Sequence, residues 1–182
     1  MKVFYFRVII IALLVFLQLS FFNIIFPWFQ MPLLLLSAVV AWTLAVGFPR
    51  SLWMTVPLML FFDSVAYGTV STFSLYAVLL AYGTSFLSRR LLIEHRGFSL
   101  GLYGLFAAFG VALYQCLSLF FLRGNAYVPD TSLAYVFSSS AVEIIEFSFL
   151  LSFPLFIVSY YFLKKFETYA AMMAQRKFLN VR

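Results

Sequence analysis

Charge is distributed so unevenly along this chain that it dictates the class of fold. Residues 8–49 carry no charge at all, which leaves room for two bilayer crossings of ~20 residues each. Between 51 and 88 the only charge is Asp63, between 97 and 122 there is none, and between 131 and 163 there are only Glu143 and Glu146. The basic residues fall between these runs or at the two ends. Only 10% of the 182 residues are charged and 65% are hydrophobic, against about 25% charged in soluble globular domains. The pattern predicts an all-α integral membrane protein, a single transmembrane domain over 1–182 that leaves no room for a soluble one.

Six transmembrane helices fit, near 8–26, 31–48, 52–68, 69–88, 98–122 and 135–163, with a cytoplasmic tail over 164–182. The first segment follows Lys2 and Arg7 but is longer than a signal-peptide core and lacks a closing small-residue cleavage site, so it reads as a helix that stays. Pro27, Trp28 and Pro32 mark the first turn, the run Pro49-Arg50-Ser51 the second, and Gly68 with Thr69 the third. With the N-terminus inside, eleven basic residues face the cytoplasm and only Arg123 lies outside, a strong positive-inside bias. Both termini are then cytoplasmic. The region 51–88 has the shortest segments; a re-entrant hairpin there would preserve the same charge map. Pro57 and Pro154 fall inside segments and predict kinks. In the tail, Phe166, Tyr169 and Met173 share a helical face, consistent with a helical extension along the cytoplasmic interface.

A net charge of +6 would suggest nucleic acid in a soluble protein. Here the positive-inside bias accounts for it, and no nucleic-acid partner is expected. Cys116 is the only cysteine, so no internal disulfide forms, and it reads as a small buried hydrophobe. His95 lies in a charged loop and reads as solvated. No clustered ligand set suggests a metal, no glycine-rich phosphate loop is present, and no cofactor is called for. Intramembrane proteolysis would require paired aspartates, or a glutamate pair supported by histidines, within the spans; neither is found. The chain is not expected to be an enzyme.

The intramembrane carboxylates are the first candidate site. Ionised groups cost ~2.5–3.5 kcal/mol at a helix centre on insertion scales, and persist where they face the bundle interior, water or a partner. Glu143 and Glu146 are three residues apart and share a helix face. Asp63 lies roughly 7–8 Å, and Glu143 roughly 12 Å, from the external ends of their segments. Three readings stay open for Asp63, Glu143 and Glu146: structural contacts within the bundle or with a partner helix, a ligand pocket, or an ion path. A second candidate is a stripe of small residues in the fifth segment, Gly97, Gly101, Gly104 and Ala108, echoed in the fourth by Ala77, Ala81 and Ser85. Small residues allow close helix approach, either inside this bundle, with another membrane protein or in a homodimer.

The run Met59-Leu60-Phe61-Phe62-Asp63-Ser64-Val65-Ala66-Tyr67-Gly68, with Thr69 to Ala77 after it, resembles the bacterial rod shape-determining MreD family. That family pairs an Asp near the end of the third span with a Gly-containing turn and an apolar span closed by basic residues, here Arg89 and Arg90. The family pattern is roughly D-L-x-x-G-x-x-L-G; here Ser64 replaces the Leu, Gly68 comes one residue late and no second Leu-Gly follows. The resemblance covers most of the chain in layout and residues 59–90 in detail. It implies a fold like the S component of energy-coupling-factor transporters. The implied role is a non-enzymatic scaffold of the cell-elongation machinery in the inner membrane. The implied partners are MreC, the MreB system, and a RodA-type glycosyltransferase with its transpeptidase. Of the family's residues only Asp63 carries over by position, with a structural or interface role. The alternative is a solute-binding S subunit of an energy-coupling-factor importer. It would use Asp63, Glu143 and Glu146 as its solute site, although the first segment has only Ala12 in place of the A-x-x-x-A docking pattern of such subunits.

Overall fold

The segment Leu33–Val46 reads LLLLSAVVAWTLAV, apolar on every side and free of charge. A helix apolar all round has no face to offer water and is buried on all sides. Residues 33–43 of this helix are indeed all buried, and the rest of the fold is arranged around it.

The computed structural model describes residues 2–22, 33–66, 72–90, 96–124 and 139–179. Among them there are six helices and no strand. Helix α1 (Lys2–Leu17) runs into a π-helical turn (Gln18–Phe22); α2 (Leu33–Val46), α3 (Phe48–Ala66), α4 (Thr72–Arg90), α5 (Arg96–Gly124) and α6 (Ser139–Leu179) follow. The described residues are therefore all-α, with one helix over each of the six segments expected from charge and turn residues. Helix α2 packs against all five others. Around it, α5 and α6 lie along each other, α3 pairs with α4, and α1 leans on α3. Helices α3 and α6 make no extended contact.

Local chemistry sets the joints. Gly47 has φ of +84°, a left-handed conformation that glycine adopts without steric penalty, and it ends α2 in the manner of a C-terminal cap. Its N–H donates to the Thr43 carbonyl at 2.9 Å, and the Ser51 N–H donates to the Gly47 carbonyl at 3.0 Å. Pro49, Arg50 and Ser51 lie inside the first turn of α3, so the turn falls at Gly47 rather than at Pro49, Arg50 and Ser51. The reason is that proline is pre-set for a first helical turn, where its missing N–H has no partner to lose. Thr43 Oγ1 donates to Ser51 Oγ at 3.2 Å and stitches the joint. At the other end of α2, the N–H of Leu34 donates to Oε1 of the fully buried Gln18 at 3.0 Å. This satisfies one of the four donors that a helix start leaves open.

The outer faces are as apolar as the inner ones. On α4, Phe73, Ala77, Ala81 and Thr84 point inward, whereas Leu75, Leu79, Tyr82 and Phe86 are exposed. On α5 the exposed row is Leu105, Phe109 and Leu113. Trp53 on α3 is 80% exposed and Leu150 on α6 is 75% exposed. By length and composition, Ile145–Met172 within α6 is able to cross a membrane, while Arg7–Ser20, Leu33–Val46 and Ser99–Tyr114 are shorter apolar helices. Pro57 and Pro154 are interior residues of α3 and α6.

Helix α6 continues through the tail to Leu179. Its inward row there is Leu163, Phe166 and Ala170, and Tyr169 is exposed. The face expected to join Phe166 with Tyr169 is therefore split between core and surface, because α6 still packs on α2 at this level.

Candidate functional site

Two polar knots hold opposite ends of the bundle. The first joins α1, α2 and α6. Nη2 of Arg7 donates to Oε2 of Glu167 at 2.8 Å, and Nε1 of Trp42 donates to Oε1 of the same carboxylate at 3.0 Å. Trp42 has no exposed surface, so its indole N–H has no access to water and needs an internal acceptor. The side chains of Arg7 and Glu167 keep 28% and 12% exposure. One carboxylate thus serves two donors from two other helices, each through its own oxygen. Arg7 Nε is buried without a partner, so the Glu167 contact carries much of the compensation for burying that guanidinium.

Glu167, the acceptor at the centre of this knot, is a residue that the charge map did not single out. Its signal was nonetheless present: it is the only acid after Glu146, and it stands beside Phe166 and four residues after Leu163 on the inward row of the tail.

The second knot joins α3 to α4. Asp63, in the last turn of α3, is fully buried and accepts a hydrogen bond from the hydroxyl of Ser74, in the first turn of α4. Aromatic rings pack beside it: Phe62 against Phe73 and Phe73 against Tyr114, each with centroids 5.3 Å apart, and Tyr76 against Tyr114 at 5.1 Å. The Tyr76 hydroxyl donates to the Gly110 carbonyl, which brings α5 into the same assembly.

Glu143 and Glu146 lie elsewhere, exposed near the start of α6. No hydrogen bond or ion pair joins either to Asp63 among the described residues, and the helices that carry them do not pack together. The three carboxylates are not brought into one cluster. Among the described residues no group of three or more His, Cys, Asp or Glu side chains is placed to hold a metal ion. His95 lies outside the described residues.

The small residues divide by position. A Cβ on Gly104 would sit 2.7 Å from Cε2 and 2.9 Å from Cδ2 of Phe153, so Gly104 is where α6 presses most closely on α5. Ala77, Ala81 and Ala108 are fully buried inside the bundle, and Ser85 is half-buried. Gly101 faces open space. Gly97 lies in the first turn of α5. Two further glycines mark where α4 meets α5: a Cβ on Gly110 would meet Leu80 Cδ1 at 2.5 Å, and one on Gly83 would meet Phe106 Cζ at 3.2 Å. Gly110 is spaced off the stripe defined by Gly101, Gly104 and Ala108, which is why spacing alone passed over it. Cys116 is half-buried and free.

What this arrangement does chemically is to fix helices to one another. Asp63 and Glu167, the two inward-facing carboxylates among the described residues, each accept from a neighbouring helix. Glu143, Glu146 and the open side of Gly101 take no part in these two knots. Compared with family models, with curated proteins and with solved structures, the chain finds a match in none.

Proposed function

We propose that this chain is a multi-pass protein of the bacterial inner membrane, with both termini cytoplasmic, serving as a non-enzymatic scaffold of the cell-elongation machinery. The membrane placement is supported by the outward apolar rows on α4, α5 and α6. Contiguous exposed apolar surface on this scale is rare in soluble monomers, and lipid supplies the medium that such faces require. Helices α3 and α4 have 19 residues each, about 28 Å at 1.5 Å per residue, close to the ~30 Å of a hydrocarbon core. That length favours two full crossings over a re-entrant hairpin. Orientation rests on the charge bias.

The observation that carries the scaffold role is Asp63. The residues that resemble the MreD family form the α3–α4 pair, and Asp63 stands at its closed end as a buried helix-to-helix acceptor, in keeping with the structural role implied for it. Partners of MreC and RodA type would then meet the chain through exposed helix faces. The importer-subunit reading draws less support, because Glu143 and Glu146 stand apart from Asp63.

Affinity purification from native membranes in mild detergent, with partners identified by mass spectrometry, tests the proposal. MreC-type or RodA-type proteins are the expected catch. Paired ATPases with a coupling membrane protein would overturn it in favour of the importer subunit. Normal cell shape after depletion from a rod-shaped host would refute the elongation role.

A further inference from the structure

A recess of about 500 Å³ opens between α2, α4, α5 and α6, with Ser88 from the last turn of α4 and Lys164 from α6 in its lining. Leu44 and Leu100 line its apolar part, and the hydroxyl-bearing residues Ser88, Ser99, Tyr103 and Tyr161 complete the wall, with the Ser88 hydroxyl donating to the Ser85 carbonyl at 2.8 Å. Lys164 supplies the charge. Its Nζ lies over the Tyr160 ring, 5.5 Å from the centroid. No carboxylate among the described residues pairs with it, and none lines the recess. Glu167, one helical turn further on, is held instead by Arg7 and Trp42. Arg89 and Arg90 follow Ser88 directly and are exposed, which adds to the positive field.

The geometry points to a binding site for the headgroup of one anionic phospholipid in the cytoplasmic leaflet, with its phosphate on Lys164. The inference rests on the membrane placement proposed above and not on the role in cell elongation. In that placement Ser88, Ser99 and Lys164 all stand at the boundary between an apolar segment and a basic one, the depth at which lipid phosphates lie. The volume falls within the range of small-molecule sites. An uncompensated cation beside several hydroxyls, between helices on the cytoplasmic side, has the charge and hydrogen-bonding capacity that an anionic headgroup requires.

The test is native mass spectrometry of the full chain in detergent, titrated with phosphatidylglycerol, phosphatidylcholine or inorganic phosphate. Phosphatidylglycerol is expected to bind in preference to phosphatidylcholine. Lys164→Gln should weaken that binding about fivefold, the worth of one basic residue near an anionic surface. Arg50→Gln, a charge-matched control at an exposed position that does not line the recess, should leave it unchanged. Lys164 is exposed, so its replacement leaves the packing intact. Equal binding of the two lipids, equal loss in both variants, or displacement of the lipid by inorganic phosphate would overturn the proposal. Alkaline carbonate extraction of cell membranes separates the two ideas. Release of the chain into the wash sinks the membrane placement, whereas retention without lipid preference sinks only this site.

Discussion

Replacing Glu167 with alanine removes the acceptor from two donors on two other helices. Trp42 Nε1, on a side chain with no exposed surface, is left unpaired, which costs ~1–3 kcal/mol. Arg7 loses its only ion-pair partner among the described residues. Breaking a fully buried pair costs ~3–5 kcal/mol, but Arg7 keeps 28% exposure, and water recovers much of that; ~1–2 kcal/mol is the appropriate share. Together the loss is ~3 kcal/mol, equivalent to a fall in Tm of ~6–12 °C for a chain of this length. Glu167→Gln retains one carbonyl acceptor and loses the charge, so its cost is smaller, ~1–2 kcal/mol. The assay is thermal unfolding of the purified chain in mild detergent, read as the fraction that stays monodisperse on gel filtration. Arg7→Ala, alone and combined with Glu167→Ala, completes a double-mutant cycle, and a coupling of ~1–2 kcal/mol is expected between side chains in contact. Strict additivity, or a Glu167→Ala shift of under ~1 °C, would refute the view that this carboxylate ties the three helices together.

Three further outcomes follow from the same geometry. Gly104→Leu should destabilise by ~1–3 kcal/mol in the same assay, because even its Cβ falls within 3 Å of Phe153, while Gly101→Ala, facing open space, should be neutral or gain up to ~1 kcal/mol from helix propensity. Asp63→Leu should cost ~1–3 kcal/mol by stranding the Ser74 hydroxyl, and Asp63→Asn, which keeps an acceptor, should retain most of the stability; equal losses would show that the hydrogen bond contributes nothing. In a Cys116→Ser background, a cysteine at Arg50 or Arg89 should react with an impermeant thiol reagent only in inverted membrane vesicles, and one at Arg123 only in intact spheroplasts. The reverse pattern at any of these positions would overturn the proposed orientation.

Much of the architecture was legible before any coordinates, for a simple reason. Charge is so costly in an apolar medium that it is kept near helix ends, and the runs 8–49 and 51–88 each hold two helices while 97–122 and 131–163 each hold one. The turn at Gly47 was less legible, because the adjacent Pro49 and Arg50 look like turn residues, yet proline is equally at home in a first helical turn. The small-residue stripe was readable by spacing, but not the partner of each residue. Gly104 turns out to receive Phe153 and Ala108 to be buried in the bundle, while Gly101 is left open.

Although α6 runs on to Leu179, well past the end expected at 163, the all-helical class and the placement of a helix in each of the six segments could be read from the residues alone. These depend on short-range propensity and on desolvation, which each residue carries with it. Which carboxylates meet which donors was settled by helix packing. Asp63 and Glu167 are acids no different in kind from Glu143 and Glu146, yet they are drawn inward, and Glu143 and Glu146 are left on the surface. That sorting depends on which helices become neighbours. Arg7, Trp42 and Glu167 are far apart along the chain, and nothing in their local patterns says that α1, α2 and α6 converge at one end. A hydrogen bond acts over about 3 Å, so such a knot comes into being only after packing has brought its members together.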